Sequence, residues 1–283
     1  MRSDNLLVVA ICLAAVLLAL AISWRGRNLT VVATREPVAP TAGASALDAL
    51  RTVGITTTAG FVAGGLVAGL GGRLVMRVLA ATSGDGAQGR LTDAEELVGE
   101  ITLGGTVALV IFVGLLIPVV TSFAFILMRR LLPRRAWVTG AVYGLLLLAT
   151  FGVTDPLSRD NSDFLILEPV WLAVGLVCAT AILFGTTFAT IVAKLDATVV
   201  PVTALRSSAP RRHKVAYASL VLLMIAPPLL AAVVVYVAAR ALVHGRSLVL
   251  FQHRALRIAA QVAVAVAVVA AGVVVASTVA DIV

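Results

Sequence analysis

The chain has 283 residues, of which 60% are hydrophobic and 13% charged, with a mean hydropathy of +1.07 and a formal charge of +8. That balance excludes a soluble domain and leaves an all-α polytopic membrane protein, a single integral membrane domain over residues 1–283. The pI of about 10.7 does not imply nucleic acid, because the positive charges sit in short loops between apolar runs and act there as topology signals. Lys194 and Lys214 are the only lysines, and the Ala-, Val- and Arg-rich remainder points to a GC-rich bacterial genome, hence to the bacterial plasma membrane.

Residues 5–24 are apolar over a spanning length and end at Trp24, before Arg25 and Arg27. Ala19-Leu20-Ala21 has the form of a signal-peptidase site. Cleavage there would put the basic segment outside and reverse every later loop, so an uncleaved span with an outside N-terminus is expected. Residues 25–53 carry Arg25, Arg27, Arg35 and Arg51 with Pro37 and Pro40. They read as a cytoplasmic loop that re-enters helix near Ser45, with Asp48 in the first turn.

The second span covers residues 54–81. Gly60, Gly64, Ala68 and Gly72 recur every fourth residue beside a ridge of Gly65, Gly69, Arg73 and Arg77, so small residues and both arginines share a side that should face protein. Arg73 lies roughly 10 Å and Arg77 roughly 5 Å inside the end of the apolar run at about 1.5 Å per residue. Exposure to lipid at that depth is costly. Residues 82–100 hold five acids against Arg90, which places them outside, and Thr92 to Glu95 reads as a capping box that starts the next helix. Gly84 to Gly89 lacks the Lys-Ser/Thr ending and preceding strand of a phosphate-binding loop.

The third span, 101–128, should tilt or bend at Pro118 and stops at Arg129, Arg130, Arg134 and Arg135, the strongest inside marker in the chain. The fourth, 136–153, enters at Trp137. It is followed by an outside loop over 154–168 with four acids and one arginine. The fifth, 169–194, has Trp171 at its outer end, so Trp24, Trp137 and Trp171 form an aromatic belt. The loop 194–214 is basic and inside. Residues 215–239 form an apolar run broken at Pro227-Pro228, and the following segment carries Arg240, Arg246, Arg254 and Arg257 without an acid. Seven spans leave that basic segment outside; six spans plus a re-entrant hairpin at the proline pair put it inside. The seven-span reading, with a cytoplasmic C-terminus, is the expected one. The last span, 255–280, carries a packing ridge of Ala259, Ala263, Ala267 and Ala271.

No zinc-protease, nucleophile-elbow or P-loop motif is present, so no catalytic, cofactor-binding or metal-ligating residue is expected. Cys12 and Cys178 fall in apolar spans as small hydrophobes, and His213, His244 and His253 accompany basic loops. The seventh span has no lysine for a retinal Schiff base. What remains is a charge cluster at the outer ends of neighbouring spans: Arg73 and Arg77 with Glu96, Glu100, Asp155 and Glu168, the two glutamates of one segment repeating the four-residue spacing of the arginines. Read structurally, these are buried arginines paired with carboxylates in a non-enzymatic structural or accessory membrane protein. The alternative is binding or transport of a small anion or anionic lipid headgroup by an arginine fork. A further alternative is an enzyme on a lipid-linked substrate. Beyond the bilayer, no partner is indicated.

Overall fold

A backbone in lipid must satisfy its own hydrogen bonds, and every long apolar run in the described part of the chain is helical. The computed structural model describes residues 3–31, 41–92, 97–100, 102–154, 157–158, 161–199, 227–242 and 254–282. The helices are α1 (Ser3–Arg25), α2 (Ala42–Thr82), α3 (Leu103–Met128), α4 (Ala136–Gly152), α5 (Val170–Thr198), α6 (Pro227–Leu242) and α7 (Arg254–Ile282). Five carry stretches long and apolar enough to cross a membrane, while α4 and the apolar part of α6 are shorter. The N-terminal half of the predicted sixth span, the basic segment after it and most of the 194–214 loop lie outside the described residues.

Two helix starts differ from expectation. α2 begins at Ala42, where Thr41 caps it by accepting the Ala44 N–H at 3.2 Å, and Ser45 is already buried inside the helix. The return to helix expected near Ser45 therefore comes three residues earlier, with Thr41 as the cap. The reason is that a small, Ala-rich, helix-favouring segment follows a good N-cap. α3 starts at Leu103, capped by Thr102 through the Gly105 N–H at 3.0 Å, not at Thr92. Leu91 instead bridges to Leu97, and Gly99 takes φ +91° in a turn, so Glu100 sits on a loop and the helical spacing read for it does not apply.

α2 is the hub. It packs on α1, α3, α5 and α6, while α4 and α5 form a second closely packed pair and α7 packs on α4. Along α2 the small residues permit backbone contact with α3. A Cβ on Gly60 would meet Ser122 Oγ and Pro118 O, one on Gly64 would collide with Gly114 O, and one on Gly69 would stand 2.9 Å from Val110 Cα. Gly72 is looser, 3.6 Å from Leu109, and Gly65 has open space around it. Pro118 has no N–H for the carbonyl four residues earlier, which is that of Gly114. The Gly114 oxygen lies against Gly64. Ser122 Oγ ties the helices further, lying 3.1 Å from Thr56 O and 2.6 Å from Pro118 O.

The loops gather into two poles. At one, Val31 N–H donates to Arg134 O at 2.8 Å and Ala136 N–H to Leu29 O at 2.9 Å, joining the segments after α1 and before α4. Arg51 lies at the same end of α2 and closes on the C-terminus of α5. Its Nη1 bridges Asp196 Oδ1 at 2.8 Å, its Nε donates to Val199 O at 2.9 Å, and its Nη2 donates to Asp196 O at 2.7 Å and Val199 O at 2.8 Å. Nearby, burial pushes the Arg129 guanidinium down from its ordinary value, against the opposing pull of Tyr236, Asp196 and Asp48. At the other pole, Ser83 Oγ accepts the Glu168 N–H at 2.9 Å, and Ala87, Val98, Ile166 and Leu167 bury together over Leu79 and Ala80. The two acidic loops thus form one cap.

Two stability predictions follow from these contacts. Gly64→Leu should overpack the α2–α3 contact and lower the melting temperature by the equivalent of about 1–3 kcal/mol or more, while Gly65→Ala, with open space at its Cβ, should melt with the wild type. Arg51→Gln should cost about 3–5 kcal/mol, as expected on breaking a buried pair. Asp196→Asn should cost less, because three of the four Arg51 bonds go to backbone oxygens. Thermal melts of the purified protein in detergent check both orderings.

Candidate functional site

The candidate site begins where α2 leaves regular geometry. Residues Gly64–Gly71 form a π segment, after which α2 resumes from Gly72 to Thr82. α3 has a π segment at Phe112–Leu116, just before Pro118, and α4 ends in one at Leu148–Gly152. Such wide turns shift the register of everything beyond them and recur at functional sites. All three supply walls to one cavity: Ala68 from the first, Val113 from the second, and Leu148, Phe151 and Gly152 from the third.

The cavity measures about 400 Å³. Its walls are α2 from Ala68 to Ala80, α3 from Val113 to Thr121, α4 from Leu147 to Gly152 and α5 from Ala173 to Phe184, and the cap loops close its outer end. The floor is aromatic. Tyr143 O–H donates to Thr121 O, Phe125 stacks edge-on to Tyr143 at 5.1 Å and to Phe188 at 4.9 Å, and Phe184 lies 5.9 Å from Phe188. Phe125, Tyr143 and Phe188 are all fully buried, so the inner half of the bundle is packed shut below the cavity.

α3 and α4 meet at the Tyr143–Thr121 bond and the Phe125–Tyr143 ring contact but make no extended packing beyond them. Ile117 on α3 and Phe151 on α4 both line the cavity and are 51% and 53% exposed. Both residues therefore belong at once to the cavity wall and to the bundle's apolar surface.

Charge is confined to the outer end. Arg73, 3% exposed, lines the cavity with its Nη1 3.8 Å from Met76 Sδ. One turn on, half-buried Arg77 donates to Gly99 O at 3.3 Å, which links it to the cap. Glu100 and Asp163 line the mouth from the two cap loops, with Thr92 and Asn161 beside them. The cap is folded rather than loose: Gln88 Nε2 donates to Ala80 O at 2.7 Å, Gly89 N–H to Val98 O at 3.0 Å, Val98 N–H to Arg90 O at 2.9 Å, and Asp163 N–H to Asn161 Oδ1 at 2.9 Å.

Of the six residues picked from the sequence, Arg73, Arg77 and Glu100 come together around the cavity. Glu168 is exposed and touches the site only through its backbone bond to Ser83, and Glu96 and Asp155 lie outside the described residues. Among the described residues the ion pair is Arg51–Asp196, and no salt bridge joins Glu100 or Glu168 to either outer arginine. Sequence reasoning passed over Asp163, which looked like one more outside acid, and Arg51 with Asp196. A signal for the latter was present, since Asp196 is a lone acid at the start of a basic loop. No protein-family model matches the chain, and comparison with curated proteins and with solved structures finds no similar protein.

Proposed function

We propose that this is a seven-span protein of the bacterial plasma membrane, N-terminus outside and C-terminus cytoplasmic, that works by binding the anionic group of an amphiphile in the outer half of its bundle. Arg73 and Arg77 are the anion ligands in this reading, and no chemistry on the ligand is invoked. The observation that carries it is the cavity itself. Arg73 and Arg77 both border a space of about 400 Å³, within the roughly 300–1,000 Å³ of small-molecule sites. Apolar walls, with Ile117 and Phe151 also exposed on the apolar surface, favour a ligand that arrives from the bilayer over one that arrives from water.

Sidedness rests on charge. The pole that holds Arg25, Arg27, Arg51, Arg129, Arg130, Arg134 and Arg135 is the cytoplasmic one by the positive-inside rule, and the acidic cap is outside. A cysteine at Ser162 should react with an impermeant thiol reagent added to intact cells, and a cysteine at Arg134 should not. The reverse pattern overturns the orientation.

Binding is tested with dodecyl phosphate, using dodecanol and inorganic phosphate as controls, by thermal shift of the purified full chain. A ligand specific for the native state at about 100 times its Kd adds about 2.7 kcal/mol. Dodecyl phosphate should raise the melting temperature more than either control. Arg77→Gln, at the half-buried position, should fold and lose most of that increment. An undiminished shift in Arg77→Gln and in Arg73→Gln would remove both residues from the site.

A further inference from the structure

We infer that the pole opposite the cap carries a second binding surface, formed by Arg25 and Arg27 together with Arg134 and Arg135, and that its occupant is the headgroup of an anionic phospholipid. It uses neither Arg73 nor Arg77 and is separate from the cavity.

The four arginines lie in two pairs far apart in the chain, and the fold brings the pairs together. Thr30 and Arg135 form an antiparallel bridge, flanked by Val31 N–H donating to Arg134 O at 2.8 Å and Ala136 N–H donating to Leu29 O at 2.9 Å. Both segments are anchored. Val31, Leu132 and Ala136 are buried in the main apolar core, and Leu29 packs against it. A Cβ on Gly26 would collide with the Thr190 side chain, so the turn after α1 lies directly on α5. Ser23 Oγ, 3.0 Å from Thr187 Oγ1, ties the end of α1 to the same helix. The backbone under the arginines is thus fixed, while all four side chains are exposed.

Charge on this surface is unbalanced. Among the described residues, none of the four arginines makes a salt bridge. The carboxylates described at this pole are engaged elsewhere: Asp196 pairs with Arg51 at 2.8 Å, and Asp48 and Asp196 both act on the buried Arg129. The surface therefore calls for an anion from outside the chain.

What surrounds the arginines names the kind of anion. The apolar stretch of α1 runs to Arg25 and that of α4 starts at Ala136, so each pair adjoins an apolar helix. Trp24 and Trp137 are exposed beside them, and the Arg27 guanidinium carbon stands 4.4 Å over the Trp24 ring. Exposed tryptophan next to arginine at the end of an apolar helix is the layer of side chains found at lipid headgroups. An acidic protein partner would match the charge and leave the two indoles unused. A phosphodiester matches both, because the planar guanidinium fork holds its oxygens in pairs and its acyl chains run along the apolar helices below.

The test uses the purified full chain carrying Trp171→Phe, so that of the three tryptophans only Trp24 and Trp137 emit, reconstituted into phosphatidylcholine bilayers. Quenching is followed as the host lipid is replaced by brominated phosphatidylglycerol or by brominated phosphatidylcholine. Phosphatidylglycerol should bind about tenfold more tightly, a difference of about 1.4 kcal/mol. One headgroup held across the Thr30–Arg135 bridge needs both segments, so Arg25→Gln/Arg27→Gln and Arg134→Gln/Arg135→Gln should each reduce the preference to about twofold or less. Independent charges would instead leave about threefold in either variant, and that result overturns the joint surface. Lysine at all four positions keeps the charges that direct insertion and should still lower the preference several-fold, because an ammonium lacks the fork. An unchanged preference in that variant overturns the arginine assignment. Equal quenching of the wild type by the two lipids overturns the lipid occupant, and if a hexaglutamate peptide then shifts the emission, the surface belongs to an acidic protein partner.

Discussion

The contact between Gly64 and the Gly114 carbonyl is the constraint on which the rest of the bundle depends. In lipid there is no hydrophobic gain from bringing two apolar helices together, so association relies on close packing and on satisfied polar groups. Pro118 cannot donate to the carbonyl four residues earlier, that of Gly114, and Gly64 is the residue whose lack of a side chain lets the neighbouring backbone approach that oxygen. The same stretch supplies Ser122, whose hydroxyl reaches Thr56 O across the helix pair. Replace the glycine by a larger residue and α2 must move off α3. The hub helix would then lose its register with everything it touches.

The three π segments follow from that packing as much as from local sequence. Gly64–Gly71 includes the tight Gly64 and Gly69 contacts, and Phe112–Leu116 is the facing segment that ends just ahead of Pro118. Each wide turn rotates the residues beyond it, so the outer half of each helix presents a different face from the one an unbroken α-helix would present. The cavity lies where those rotated faces fail to close. Its existence is a product of register, not of a missing side chain.

How much of this was legible in the sequence can be argued residue by residue. The helical membrane character was readable, with five helices long and apolar enough to cross, because some 20 apolar residues in lipid have only one available structure, and the basic and acidic loops separated because that segregation is written in single residue types. Gly60, Gly64 and Gly69 were readable as a packing ridge because close approach leaves a periodic trace. Past the π turn, Gly72, Arg73 and Arg77 still line one cavity with Ala68. The periodicity argument failed for Glu100, whose loop conformation depends on Gly99 and on Gln88 reaching Ala80 O, neither of which leaves a spacing signal. Asp163 joined the site through the meeting of two loops 70 or so residues apart in sequence, a long-range fact that one sequence without relatives does not encode in any local pattern.

The Arg51 pole explains how a cavity at the cap end of the bundle is tolerated. A bundle whose helices diverge at one end loses packing there, and α2 and α5 must be held elsewhere if the splay is to persist. Arg51 does this from α2, using one ion pair and three backbone bonds on the last turn of α5, where the carbonyls have no intrahelical partner of their own. Phe125, Tyr143, Phe184 and Phe188 fill the middle of the bundle. With the inner ends latched and the middle filled, the outer halves are left to be spaced by the cap, through Ser83 on Glu168 and Arg77 on Gly99. The latch is therefore mechanically upstream of the site although it lies at the opposite end of α2. A loss at Arg51 should be felt as a change in the distance between α2 and α5 at Arg73 and Ala173, before any residue of the cavity itself is altered.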